Sequence, residues 1–192
     1  PITELNSTSI DNNVFSYDEY VFHEKELYNL VNTGRRWFGE SFSFDQNQIF
    51  NFNYPYIDLN EPVFLDVSVA ARSSSAVTPQ GTSFIIKNQQ NSITTVPILP
   101  TSSSSIFYRD NLVQTSFLPS SPELTLSITY NHFGNTSALA WLDYFSLVFR
   151  HQLIFNGTQF LFRDAQSVGQ NLISKFSINS NFDMNIWDVT DP

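Results

Sequence analysis

The sequence contains no cysteine among its 192 residues, and this absence removes several kinds of chemistry at once. Without cysteine the chain can form no disulfide framework, no thiol nucleophile and no zinc–thiolate site. Basic residues are also few, since nine Lys and Arg stand against 18 Asp and Glu, for a formal net charge of −9. Binding to nucleic-acid phosphates requires clustered Lys and Arg, so this balance argues against a nucleic-acid partner.

Long apolar runs are missing too, although hydrophobic residues make up 41% of the chain. No stretch is long enough to cross a membrane as an apolar helix. Charged residues make up 14%, against a usual share of about 25%, so Ser, Thr, Asn and Gln must cover much of the surface. The chain begins at Pro1 without an initiating Met or a signal peptide and ends at Pro192 after an apparent strand. We therefore expect it to be a fragment of a larger protein.

Motifs of catalysis and cofactor binding are absent as well. There is no G-x-S-x-G, P-loop, EF-hand or Rossmann glycine pattern, and His23, His132 and His151 are far apart in sequence. His23 opens the sequence HEKEL, but Leu27 stands where a zincin helix has its second His. We predict that this chain is not an enzyme and has no catalytic residue and no cofactor.

A period-two alternation of apolar and polar residues dominates the sequence and predicts strands with one buried face. It is clearest in Glu123–Tyr130 and Val63–Ala71. Trp141–Leu153 is apolar on both parities, which predicts a long central strand, and Asn156-Gly157 predicts a type I′ hairpin turn. Further strands are predicted at 38–44, 50–54, 83–87, 105–109, 112–117, 173–178 and 185–189. The fold expected from these short strands is an all-β, jelly-roll-like sandwich of two sheets.

One short helix is predicted at Glu24–Thr33, because Leu27, Leu30 and Val31 recur at helical spacing and Gly34 follows as a C′ residue. Segments 73–81, 102–105 and the region around Pro97 and Pro100 are interpreted as loops. No domain-scale linker interrupts the chain, so we predict a single domain over residues 1–192 with a flexible lead-in over residues 1–14.

The stretch 32–42, NTGRRWFGESF, concentrates charge and aromatic side chains in a chain that has few basic residues. It could grip a ligand if Arg35 and Arg36 were exposed together beside Trp37. We favour a structural role, in which Phe38, Phe42 and Phe44 enter the core and Gly39 permits a close backbone approach. One Arg would then lie over an aromatic ring, or pair with Glu40 or with an acid from a neighbouring strand.

Two kinds of binding site remain open from composition. Asp143, Asp164, Asp183 and Asp188 lie on or beside predicted strands, where carboxylates of sandwich domains can bind calcium, although their spacing carries no signature. Exposed aromatics could instead stack on sugar rings. The candidates for such a carbohydrate-binding or adhesion module are Tyr54, Tyr56 and Tyr108.

Four motifs occur in an order that resembles a known family: GRRWFGE, ALAWLDY, QFLFRD and IWDVTDP. Over roughly residues 15–192 the chain resembles the region upstream of the peptidase domain in the gingipain-like sortases of type IX secretion, the PorU family. The motif residues, which we expect to be mainly structural, are Gly34, Arg35, Arg36, Trp37, Phe38, Gly39, Glu40, Trp141, Asp143, Phe160, Arg163, Asp164, Trp187 and Asp188.

The resemblance implies a role at the outer-membrane surface of Gram-negative bacteria. Those sortases are cysteine peptidases that remove the C-terminal secretion signal of exported cargo, and their catalytic Cys and His lie in a domain after the IWDVTDP-type segment. This chain would then be a non-catalytic domain, with the downstream peptidase domain, exported cargo or secretion machinery as partners. Its last segment, Phe182–Thr190, should lie at an edge, with Ile186, Trp187 and Val189 incompletely covered.

Overall fold

The structure is a computed structural model that describes residues 10, 12–31, 34–88, 92–101, 106–169 and 173–189. Twelve strands occur in these residues: β1 Asn12–Val14, β2 Ser16–Glu24, β3 Asn47–Asn53, β4 Val63–Arg72, β5 Thr82–Asn88, β6 Ser92–Ile98, β7 Arg109–Phe117, β8 Glu123–Asn131, β9 Leu139–Gln152, β10 Ile154–Phe155, β11 Ser174–Phe176 and β12 Asn179–Ser180. The helical content of the described residues is one 3-10 turn at Ala165–Ser167, which the side chain of Asp164 caps.

Eight of the strands form two antiparallel sheets with the orders β2-β9-β4-β7 and β3-β8-β5-β6. We call them sheet I and sheet II. Two short parallel pairs, β1 with β11 and β10 with β12, lie beside them. The predicted all-β sandwich of two sheets is confirmed, and β9 is a long central strand of sheet I as expected from its apolar residues on both parities.

The core lies between the two sheets and comes from the alternating residues that the sequence singled out. Val63, Leu65, Val67 and Val69 of β4 are fully buried, as are the four alternating apolar residues of β8. Burial of one such side chain contributes about 1.5–3 kcal/mol. A smaller core of Val14, Tyr17 and Leu153 lies apart from the main one. β1 therefore packs on this smaller core, whereas residues 1–9 and 11 of the predicted lead-in lie outside the described residues.

The helix predicted at Glu24–Thr33 is wrong for the residues that the structure describes there. β2 extends through Glu24, and the backbone of Tyr28 exchanges hydrogen bonds with that of Phe38. Leu27 and Val31, which were to form the buried face of the helix, are exposed. Pairing with the segment around Phe38 therefore overrides the local helical spacing, and Leu30 packs from this extended segment against the cluster of Phe38 and Trp141.

Other local predictions fail for the same reason. Ile154–Phe155 pairs in parallel with β12, so Asn156-Gly157 makes a turn without joining two strands of a hairpin. Residues 38–44 contain isolated bridges and no regular strand, and Phe44 is fully exposed and does not enter the core. Residues 185–189 form no strand, and β7 begins only at Arg109. β6 contains Pro97, which the sequence placed in a loop, at the edge of sheet II. Residues 102–105 lie outside the described residues.

Candidate functional surface

The segment around GRRWFGE extends sheet I beyond the end of β2. Its backbone bonds to the start of β9, with the N–H of Gly39 donating to Leu142 (2.7 Å) and the N–H of Phe42 donating to Ala140 (2.9 Å). Phe42 then points into the main core, whereas Phe38 lies on the outer face of sheet I against Trp141 and Tyr108. Gly39 is close to Lys25, because a Cβ at Gly39 would lie 3.1 Å from the carbonyl oxygen of Lys25. A close backbone approach, as predicted, occurs at this glycine.

Arg36 binds three oxygen-bearing side chains on the outer face of sheet I. Its guanidinium donates to Asp110 of β7 (2.5 Å), to Asp143 of β9 (2.7 Å) and to Ser68 of β4 (3.2 Å). Ser68 also donates to Asp143 at 2.8 Å. We call these four residues the Arg36 clasp. The clasp joins the segment to three of the four strands of sheet I.

A β-bulge places Asp143 in the clasp. β4 and β9 pair Val69 with Leu142 but Ser68 with Tyr144, so Asp143 is the extra residue. A bulge re-aims a side chain relative to regular alternation. The carboxylate of Asp143 therefore lies beside Ser68, with only 7% of the side chain exposed.

The electrostatics of Arg36 agree with this geometry. Burial by itself would lower the pKa of Arg36, but the hydrogen bonds to Asp143 and Asp110 outweigh it and hold the pKa above its ordinary value. The guanidinium also lies 5.1 Å from the centre of the Phe38 ring. Of the partners considered from sequence, Arg36 thus has an aromatic ring and two acids of neighbouring strands, not Glu40. Arg35 is exposed, and Trp37 is 38% exposed.

Glu40 has a different set of partners. Its carboxylate lies 2.9 Å from both the Lys25 ammonium and the Nε2 atom of His23. Burial would raise the pKa of Glu40, but Lys25, a backbone N–H and His23 together lower it below its ordinary value. Glu40 therefore joins the segment back to the end of β2.

The QFLFRD motif forms a second cluster at the other end of β9. Arg150 of β9 donates to Asp164 (2.5 Å), to Asp18 (2.7 Å) and to Ser16 of β2. The side chain of Asp164 is almost fully buried. The two other motif residues pack on β2: Phe160 contacts Tyr17, and the Arg163 guanidinium lies 5.8 Å from the centre of the Tyr20 ring.

The last motif, IWDVTDP, has little cover in its described residues. Trp187 is 80% exposed, and Ile186 and Val189 are more than half exposed. Asp188 is exposed as well. The predicted incomplete cover of this segment is confirmed for these three apolar residues, and Thr190 lies outside the described residues.

The three tyrosines proposed for sugar stacking lie in different surroundings, although the rings of Tyr54 and Tyr56 both lie beside that of His151. Tyr54 packs against Phe149 in the sandwich (4.7 Å between ring centres), and Tyr108 packs against Phe38 on the outer face of sheet I (5.1 Å). Tyr56 is 38% exposed and has its ring 6.0 Å from that of His151. Sugar stacking by Tyr54, Tyr56 or Tyr108 stays a prediction, with Tyr54 and Tyr108 each engaged in ring contacts within the fold.

Sequence reasoning missed another aromatic surface. Tyr20 and Phe22 of β2, Phe64 of β4 and Tyr144 of β9 lie on the outer face of sheet I beside the Arg36 clasp. The signal was available in part, because Phe64 alternates with Val63 and Leu65, which define the buried face. β2 itself was not predicted, so its outward aromatics were not recognised.

The described part of the chain was also searched for metal sites and for membrane-spanning helices. No group of three or more His, Cys, Asp or Glu side chains there could hold a metal ion. Of the four acids considered for calcium, Asp143 and Asp164 pair with arginines. No helix in the described ranges is long and apolar enough to span a bilayer.

The chain matches no protein-family model and none of the curated protein sequences. Among solved structures it is similar to dimeric latent PorU from Porphyromonas gingivalis, with 23% identity and a TM-score of 0.66. The match covers 84% of this chain and 15% of that structure. The chain thus spans a small part of that protein's length, and the two share a fold over this part.

Weaker likenesses are found to other sandwich proteins. A family 35 carbohydrate-binding module from Clostridium thermocellum has 8% identity and a TM-score of 0.38, covering 67% of this chain and 90% of the module. The insecticidal delta-endotoxin Cry8Ea1 from Bacillus thuringiensis has 11% identity and a TM-score of 0.40, covering 56% and 19%. At these TM-scores neither likeness carries an argument about function.

Proposed function

We propose that this chain is a non-catalytic structural or interaction domain of a type IX secretion sortase. The parent protein would be a cysteine endopeptidase at the outer-membrane surface of a Gram-negative bacterium and would cleave the C-terminal secretion signals of exported cargo. The domain would brace the downstream peptidase domain or contact cargo or secretion machinery. Because the chain has no cysteine, it cannot itself supply the nucleophile of such an enzyme.

The observation that carries this proposal is the way the motif residues gather. Arg36 and Phe38 come from one motif and Trp141 and Asp143 from another that is far along the chain, yet the two motifs meet on the outer face of sheet I. Phe160 and Asp164 belong to the second cluster, which lies at the other end of β9. The shared fold with part of latent PorU adds support, because it covers 84% of this chain. Motif residues that hold a scaffold together are those expected in a domain that supports chemistry located elsewhere.

Reading the parent gene tests the proposal directly. A domain with paired Cys and His encoded just after Pro192 would support it, whereas a stop codon at that point would count heavily against it. The functional test is to delete residues 12–189 from the parent and follow cargo by mass spectrometry. We expect cargo to keep its C-terminal signal, and normal processing would contradict a supporting role.

A further inference from the structure

The outer face of sheet I carries an aromatic strip next to the Arg36 clasp, with the Arg163 guanidinium 5.8 Å from the ring centre of Tyr20 at one end. The rings of Tyr20 and Phe22 on β2 stack with centres 6.2 Å apart and planes 16° apart. The ring of Tyr144 on β9 continues the strip, 5.4 Å from Phe22 and tilted by 34°. Nearly half the surface of Tyr20 and of Phe22 is exposed. The three rings therefore form one contiguous aromatic strip over two strands.

The strand register extends this strip over the sheet. Val148 of β9 stands between Tyr20 and Phe64, since it is paired with both. On the other side of Phe22, the strand pairing leads from Tyr144 of β9 to Ser68 of β4 and then to Leu112 of β7. Phe64 and Leu112 are each about half exposed. Phe22 belongs to a row of paired residues that runs across the strands of the sheet. Apolar side chains therefore stand on both sides of this row.

Polar groups occupy the middle of this surface. The row of Phe22 continues through Ser146 to Asp66 and Gln114. The carboxamide nitrogen of Gln114 donates to the carboxylate of Asp66 and lies 3.2 Å from each of its two oxygens. No salt bridge in the described part of the chain involves Asp66. The surface thus combines neighbouring aromatic rings with a central carboxylate and carboxamide that retain hydrogen-bonding capacity.

This combination discriminates between classes of partner. The centre of a protein–protein interface is depleted in charged residues, and a carboxylate buried without a cation is costly. The same cost applies to insertion into a lipid surface, and the net charge of −9 argues against a phosphate backbone. A sugar ring, by contrast, offers a face of C–H groups to an aromatic ring while its hydroxyls donate to a carboxylate.

We propose that this surface binds a glycan, with Tyr20, Phe22 and Tyr144 stacking on sugar rings and Asp66 and Gln114 hydrogen-bonding to sugar hydroxyls. Sugar binding is inferred here from these contacts alone, and it does not depend on whether the parent protein is a sortase. The surface uses none of Tyr54, Tyr56 and Tyr108, and it is built on a sheet face rather than on loops.

The test is calorimetric titration of the 192-residue chain with neutral hexasaccharides: cellohexaose, xylohexaose, laminarihexaose and mannohexaose. We expect millimolar or tighter binding of at least one probe. Phe22→Ala should weaken that binding about tenfold, or about 1.4 kcal/mol, because it removes the central ring. Asp66→Asn should also weaken it, since the carboxylate is the stronger acceptor.

Leu161→Ala is the matched control, because Leu161 is an exposed apolar residue that belongs to none of the contacts above. It should bind the probe like the wild type. Tyr20→Ala repeats the test at a second ring, and melting curves establish that each variant is folded. Absence of binding to all four probes overturns the proposal, as does binding that Phe22→Ala leaves unchanged. Self-association of the chain that Phe22→Ala abolishes, without sugar binding, would replace the glycan by a protein partner.

Discussion

Arg36 and its sequence neighbour Arg35 have different environments. Arg36 binds Asp110, Asp143 and Ser68, whereas Arg35 is exposed. Removing one partner of a buried pair leaves the other charge without compensation, at about 3–5 kcal/mol for full burial. About a third of the Arg36 side chain is exposed, so screening reduces this cost.

We therefore expect Arg36→Ala to lower the free energy of unfolding by about 2 kcal/mol. Urea denaturation measures this value. Arg35→Ala is the control and should change it by less than about 0.5 kcal/mol. The double variant with Asp143→Ala should lose less than the sum of the two single variants, because both remove one interaction. Additive losses would show that the clasp is not a stabilising pair.

Phe38 and Trp37 are adjacent aromatics with opposite environments. Phe38 is fully buried on the outer face of sheet I, and Trp37 is 38% exposed. Phe38→Ala should therefore cost about 3 kcal/mol, while Trp37→Ala should cost about 1 kcal/mol or less. The sequence led us to expect Trp37 to matter for stability, and its exposure now shifts that expectation to Phe38. Thermal melting of the two variants decides, and an equal loss for both would contradict the assignment.

Glu40 makes stability depend on pH. Its pKa in the folded chain lies below the ordinary value of 4.5. A carboxylate whose pKa is lowered by folding contributes stability above its unfolded pKa and loses it as the pH falls through the folded value. Glu40→Gln should therefore destabilise the chain at pH 6, and the difference from the wild type should shrink below pH 4.5. Urea titrations at several pH values measure it, and a difference independent of pH would refute this role.

At the scale of elements, β9 organises sheet I. It pairs with β2 and β4, carries the bulge at Asp143, and presents Arg150 to the second cluster. Its N-terminal part, beyond the end of β2, is covered by segment 39–42. One long strand thus connects the Arg36 clasp with the QFLFRD cluster. This explains how motifs that are separated in sequence can pack on one sheet.

The terminal segment behaves differently from β9, because its apolar side chains have little cover. Trp187→Ala should therefore leave the melting temperature of this chain unchanged within about 1 °C. In the intact parent protein, the same substitution should lower the melting temperature if Trp187 packs against the next domain. Leu161→Ala, at another exposed apolar residue, is the control in both proteins. No effect of Trp187→Ala in the parent would exclude a domain contact there.

The whole molecule has one large core between its sheets and a smaller core around Leu153. The two cores are joined through β2 and β9. Tyr17 lies in β2, whose Val21 packs against the main core, and Leu153 directly follows β9, which carries main-core residues. We expect a single cooperative unfolding transition, which tryptophan fluorescence and far-UV circular dichroism should report at the same denaturant concentration. Phe145→Ala and Leu153→Ala should both shift that one transition. Two transitions, with Leu153→Ala moving only one, would show that the smaller core unfolds separately.

Much of the fold follows from the sequence because its causes are local. Alternation in β4 and β8 identified buried residues correctly, since a strand that faces a core on one side must repeat with period two. The apolar residues of β9 on both parities identified a central strand. Absence of cysteine fixed what chemistry the chain cannot perform. Four ordered motifs indicated a resemblance to the PorU family, and the chain shares a fold with part of latent PorU.

Tertiary structure alone decided the rest. The spacing of Leu27, Leu30 and Val31 favoured a helix, but pairing of Tyr28 with Phe38 held that segment extended. Asp143 reaches Arg36 only because a bulge re-aims it, and a bulge depends on the register between β4 and β9. The aromatic strip of Tyr20, Phe22 and Tyr144 likewise requires β2 to lie beside β9. These features arise from contacts between residues distant in sequence, whose geometry no local pattern of residues encodes.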